Sequence, residues 1–266
     1  MVRSGGAIAD LESSPAIAVD RALNILEAAS QRRDGLTNSE LSRRLGIPKS
    51  SASYILRTLE RRGYLCRDAE SGRYRLGLKL MSLGGEAQAS LDLADVSLPF
   101  MRALVERVAL TCHLAVLDHG EAVYIEKVEA PGFFKVNTWV GRRMYLHSTS
   151  VGKALLAWLP KDEAEKLLRE QNLKKRTPKT ISSMARLLTE LEHVREQGYG
   201  VDDEENSPGA RCVAAPIFDL AGNVIAALGV SGTLTQVDRP KLPRIAEALK
   251  ETSRRITKQL ARTGGA

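Results

Sequence analysis

From Ile17 to Ser30 the apolar positions Ala18, Ala22, Ile25, Leu26 and Ala29 recur at three- and four-residue steps, which predicts an amphipathic helix. Thr37-Asn-Ser-Glu40 then has the form of a capping box, in which Thr37 caps a helix start and Glu40 reaches back. That helix turns Leu41 and Leu45 inward and stops at Gly46, a residue suited to a left-handed C-cap. Pro48 pre-sets the first turn of the next helix, predicted to Arg62, with Ala52, Ile55, Leu56 and Leu59 as its buried stripe. Gly63 ends it. Tyr64 to Leu76 reads as a hairpin turning at Asp68-Ala-Glu-Ser-Gly72, and Gly77 to Ala89 as a further helix.

Beyond about Asp92 helices and strands mix. Helices are predicted at Pro99–Ala109, Ser150–Trp158, Lys161–Gln171, Ser183–Gln197 and Arg239–Leu260. Strands are predicted at Cys112–Leu117, Ala122–Val128, Phe133–Thr138, Cys212–Phe218 and Val224–Ser231. Hairpins dominate the strand connections, so the sheet is expected to be antiparallel with helices packed on it, an α+β class. The expected division is a flexible arm at 1–15, a winged helix-turn-helix at 16–77, a linker helix at 78–92 and a second domain at 93–262.

Charge sharpens the first half. The chain carries a formal net charge of +7, and residues 31–79 alone hold 12 Lys and Arg against 5 Asp and Glu. A surplus confined to one short segment favours a polyanion there, although a solvated basic face has the same composition. Helix, capped helix, Gly turn, helix and basic hairpin is the order of a winged helix-turn-helix. The third helix presents Lys49, Ser50, Ser51, Ser53, Tyr54 and Arg57 away from its apolar stripe, with Arg61 at its end. Small hydroxyls allow close approach to base edges, while Lys and Arg neutralise phosphates. Arg73 and Arg75, two apart on the expected wing strand, point to one face, and Arg43 and Arg44 can reach flanking backbone.

The second half suggests a pocket. If the last hairpin turns at Leu220–Asn223, Cys212 lies across from about Gly229 to Ser231, and Gly229 marks a close approach by a ligand or another backbone. Free N–H groups at the helix start Ser150-Val151-Gly152 suit a carboxylate. Ser150, Cys212 and Ser231 offer further hydrogen bonds, and Asp202 an acceptor for a ligand hydroxyl. Phe133, Val136 and Met144 offer an apolar wall. Each also has a plainer reading: Cys212 as a small core residue, Ser150 as a cap, Met144 as filler.

Several functions fit poorly. No run of 18 apolar residues exists, so no membrane span is expected. The N-terminus lacks an apolar signal core. Cys66, Cys112 and Cys212 are widely spaced, giving neither a disulfide framework nor metal spacing, and a reducing cytoplasm is expected. No cofactor or catalytic residue is assigned. The alternative is a small-molecule enzyme with an accessory DNA-binding module, with Cys212 as the thiol; no His has a spacing that demands it.

The residues Leu36-Thr-Asn-Ser-Glu-Leu-Ser-Arg-Arg-Leu-Gly-Ile-Pro-Lys-Ser-Ser-Ala-Ser-Tyr-Ile-Leu-Arg-Thr-Leu59 resemble the IclR family of regulators. So do Gly152-Lys-Ala-Leu-Leu-Ala157, Asp203-Glu-Glu205 and Cys212-Val-Ala-Ala-Pro216. The resemblance implies a homodimer or dimer of dimers on double-stranded operator DNA, and a GAF-like domain binding a small, often acidic metabolite. By the same resemblance Phe133, Val136, Met144, Ser150, Val151, Asp202, Cys212, Gly229 and Ser231 fall at effector-contact positions. Tyr54 stands where family members commonly have Arg, so the operator sequence is expected to differ.

Overall fold

A computed structural model describes residues 16–89, 92–132 and 135–263. The expected arm at 1–15 and Phe133 lie outside the described residues. The chain divides into two compact units, residues 1–90 and 91–266.

The N-terminal unit consists of α1 (Ile17–Ser30), α2 (Asn38–Leu45), α3 (Lys49–Arg61), the hairpin β1 (Leu65–Arg67) and β2 (Tyr74–Leu76), and α4 (Lys79–Ala89). The capping box is present: Glu40 N–H donates to Thr37 Oγ1, and Thr37 N–H donates to Glu40 Oε2 at 2.7 Å. Gly46 closes α2 at φ 64°, where a side chain costs most, and its N–H returns to Ser42 O. Ile25, Leu41, Ala52 and Leu56 form the fully buried centre of this unit, with Leu36, Leu65 and Tyr74 packed around it.

The second unit contains α5 (Asp92–Val108), β3 (Thr111–Asp118), β4 (Glu121–Val128), β5 (Arg143–Met144), α6 (Ser150–Leu156), α7 (Lys161–Glu170), α8 (Met184–Gln197), β6 (Gly200–Asp203), β7 (Ala210–Phe218), β8 (Val224–Thr233) and α9 (Leu242–Thr263). The six strands form one sheet in the order β5-β4-β3-β8-β7-β6, every pairing antiparallel. Alternation along the strands sends Cys112, Leu114, Val213, Ala215 and Leu228 toward α5 and α9. Ala115, Ala214 and Ala227 face the layer of α6, α7 and α8. The protein is therefore α+β.

Three sequence expectations shift. The helix expected to start at Pro99 starts at Asp92, with Pro99 inside it; burial of Ala94, Met101 and Leu104 outweighs the lost N–H. The described part of the strand expected at 133–138 is irregular chain, and β5 and β6 are further short strands. Among the described residues no helix is long and apolar enough to cross a membrane.

Candidate functional site

In the N-terminal unit, packing of Ala52, Leu56 and Leu59 fixes the rotation of α3. Lys49, Ser50, Tyr54 and Arg57 are consequently exposed, and Ser51 and Ser53 half-buried. Tyr54 is 73% exposed, an aromatic side chain that the unit's own core does not use. Arg43 is exposed on the last turn of α2.

The two wing arginines separate. Arg75, in β2, is exposed and sits 3.6 Å from Asp68. Arg73 precedes the strand and turns back: Nη1 donates to Gly35 O at 2.9 Å and to Glu40 Oε2 at 3.2 Å. The Thr37 backbone and hydroxyl, then Arg73, hold the Glu40 carboxyl below its ordinary range. Arg73 thus buttresses the capping box, and the pair does not present one shared face as the two-residue spacing suggests.

In the second unit a cavity of about 430 Å³ opens beside α6 and the strand ends. It brings together Val136, Met144, Ser150, Asp202, Cys212 and Ser231. Cys212 pairs with Ser231 across β7 and β8, and with Asp202 across β6 and β7, so the three share one row of the sheet. Val151 and Gly229 are not on the cavity wall. Val151 is buried, and a Cβ on Gly229 would stand 2.8 Å from Val151 Cγ1. The close approach that Gly229 permits is by α6.

The helix start differs from expectation in one detail. Thr149 is the cap, its hydroxyl accepting from Gly152 N–H at 3.1 Å, which leaves Ser150 on the wall. Asp202 is buried, and its Oδ1 accepts from Glu205 N–H at 2.7 Å and Asn206 N–H at 3.2 Å. Burial pushes its pKa up to about 7, against those two N–H bonds, with the Glu205 charge adding to the rise. Burial likewise pushes the Cys212 thiol up to about 12, with the Asp202 charge adding, so it is held protonated and is a poor nucleophile.

Sequence reasoning missed Tyr124, Lys135, Thr138 and Arg142, which also line the cavity. Lys135 pairs with Glu129 at 2.9 Å, and the Arg142 guanidinium stacks 4.8 Å from the Trp139 ring. His113 donates to or accepts from Thr138 Oγ1 at 2.7 Å and stacks on Tyr124 at 4.4 Å. Burial lowers its pKa to about 3, with Lys127 and Arg142 adding, so it is neutral. Most of these residues sit in irregular chain between β4 and β5, where no periodicity announces them. Among the described residues no cluster of His, Cys, Asp and Glu has metal-binding geometry.

Two family models match in chain order. One, the IclR helix-turn-helix domain, covers residues 18–69, and the other, the bacterial transcriptional regulator IclR C-terminal domain, covers residues 86–258. The chain belongs to the IclR family. This IclR-family transcriptional regulator is 38% identical over 258 residues to the HTH-type transcriptional regulator KdgR of Escherichia coli K12, covering 95% of this chain and 96% of that one. It is 36% identical over 242 residues to XynR of the same organism, covering 91% and 96%. Among solved structures, Thermotoga maritima IclR superposes with a TM-score of 0.72 at 31% identity, covering 91% and 98%. An IclR homolog from Microbacterium hydrocarbonoxydans, complexed with 4-hydroxybenzoate, superposes with a TM-score of 0.77 at 28% identity, covering 92% and 99%.

Proposed function

We propose that a small organic anion occupies the cavity beside α6 and controls how tightly α3 and the wing hold operator DNA. The observation that carries this reading is the lining itself. Lys135 and Arg142 bring positive charge and Ser150 and Ser231 bring hydroxyls, while Val136 and Met144 supply apolar surface. A volume of about 430 Å³ suits a metabolite of that kind, within the usual few hundred Å³ of ligand pockets. The 4-hydroxybenzoate complex of the Microbacterium homolog supports an acid as the class.

On the DNA side, Lys49, Ser50, Ser51, Ser53, Tyr54 and Arg57 of α3 read the major groove, and Arg43 and Arg75 hold phosphates. A homodimer or dimer of dimers in the cytoplasm matches two recognition helices to two half-sites. The functional division is residues 16–77 for DNA, 78–92 as the connecting helix and 93–262 for the effector. Effector binding acts by favouring one DNA-binding state over another, since equal affinity for both shifts nothing.

The test uses the full chain and a duplex that it selects from random-sequence DNA. Sugar acids and aryl acids are screened for a rise in melting temperature, and each hit is added to the DNA titration. The expected result is one acid that shifts both melting temperature and DNA affinity. Failure to enrich any duplex sinks the DNA reading, and hits that leave DNA affinity unchanged sink the control reading.

A further inference from the structure

A second cavity, of about 320 Å³, lies in the C-terminal unit beside α9, and it shares no lining residue with the first. We propose that it is a separate ligand site for a flat aromatic monocarboxylate.

Its chemistry is divided. One wall is carbon: Trp158 and Phe218 meet edge to face at 5.7 Å, next to Ala215 and Pro216. An aromatic edge-to-face pair offers a flat ligand both a ring face and a ring edge. The other wall is α9, where Lys250, Arg254 and Lys258 recur at four-residue steps and so lie on one face. Among the described residues no carboxylate lines the cavity. Glu247 holds Lys250 at 3.0 Å but reaches Arg254 only at 3.9 Å, and no ion pair to Lys258 occurs among the described residues. Positive charge at the rim is therefore only partly compensated by the protein.

The site thus combines an apolar slot with a cationic rim. One ring and one carboxylate match that arrangement, and a volume of about 320 Å³ lies at the small end of ligand pockets.

The chain has two tryptophans, at 139 and 158, so Trp139→Phe leaves Trp158 as the sole indole reporter. Benzoate titrated into the full-length Trp139→Phe protein should quench Trp158 saturably, and neutral benzamide should not. Adding Arg254→Gln with Lys258→Gln should weaken benzoate by about tenfold or more, the loss expected for charge-assisted hydrogen bonds. Arg142→Gln, in the other cavity, should leave this titration unaltered. The proposal is overturned if quenching is linear in benzoate, if benzamide matches it, if the double substitution has no effect, or if Arg142→Gln abolishes it.

Discussion

Lys153 Nζ lies 2.7 Å from Glu205 Oε1 and 2.9 Å from Glu190 Oε1, and the lysine side chain is wholly shut off from solvent. It joins α6 and α8 to the loop after β6. The same loop supplies Asn206, Ser207, Pro208 and Gly209 to the cavity beside α6. Burial disfavours the ammonium, but Glu205 and Glu190 outweigh it and hold the lysine pKa above its ordinary value.

Lys153→Met should therefore destabilise the protein by about 3–5 kcal/mol, since removing one partner strands a buried charge. Adding Glu205→Gln should restore part of that loss. Urea denaturation of the single and double variants measures both, and equal loss in the two would show that the ion pair is not what holds the loop.

Asp202 gives a pH dependence with a definite sign. Its native pKa is about 7 against an unfolded value of 3.8, so the native state binds the proton more tightly between those limits. The carboxyl costs nothing below the lower value, and its cost grows as pH rises toward 7. Asp202→Asn should gain stability relative to the parent over that interval, up to about 4 kcal/mol at the 1.36 kcal/mol carried by each pKa unit. Anion binding in the cavity that Asp202 lines should weaken from pH 6 to 8 in the parent and stay level in the variant. Denaturation and calorimetry across pH check the two halves separately.

The two wing arginines should respond differently. Arg73→Ala removes the donors to Gly35 O and Glu40, so it should lower the melting temperature of the N-terminal unit. Arg75→Ala and Arg43→Ala should leave melting unchanged and weaken DNA binding across sequences. Every phosphate that is no longer neutralised should reduce the salt slope of log affinity by about 0.9. Binding isotherms at several salt concentrations, read beside melting curves, separate the two roles.

Gly229→Ala should cost about 1–3 kcal/mol by overpacking, because its Cβ would press on Val151 Cγ1 at 2.8 Å. An unchanged melting temperature would show that α6 yields at that point.

What the sequence discloses follows from how local the cause is. The capping box, Gly46 and the stripe of α3 are specified within a few residues, and the helix pair is legible from them. The β7–β8 turn sets its register, and the expected facing of Cys212 with Gly229 to Ser231 resolves to Ser231. Pro99 misleads because a local breaker loses to distant packing. Arg73 misleads because its partners Gly35 and Glu40 lie more than thirty positions away, and no spacing rule connects them. Lys135 and Arg142 escape notice for a similar reason: irregular chain carries them to the cavity, and only the fold shows where it runs.

The cavity beside α6 draws on β4, β5, β6, β7 and β8, from Tyr124 to Gly232, touching every strand of the sheet except β3. On the proposed reading, ligand preference is spread across more than a hundred positions of chain. Grafting a single loop from a sister regulator would carry over a fragment of the recognition surface, and re-targeting a biosensor built on this scaffold calls for exchanging the whole C-terminal unit.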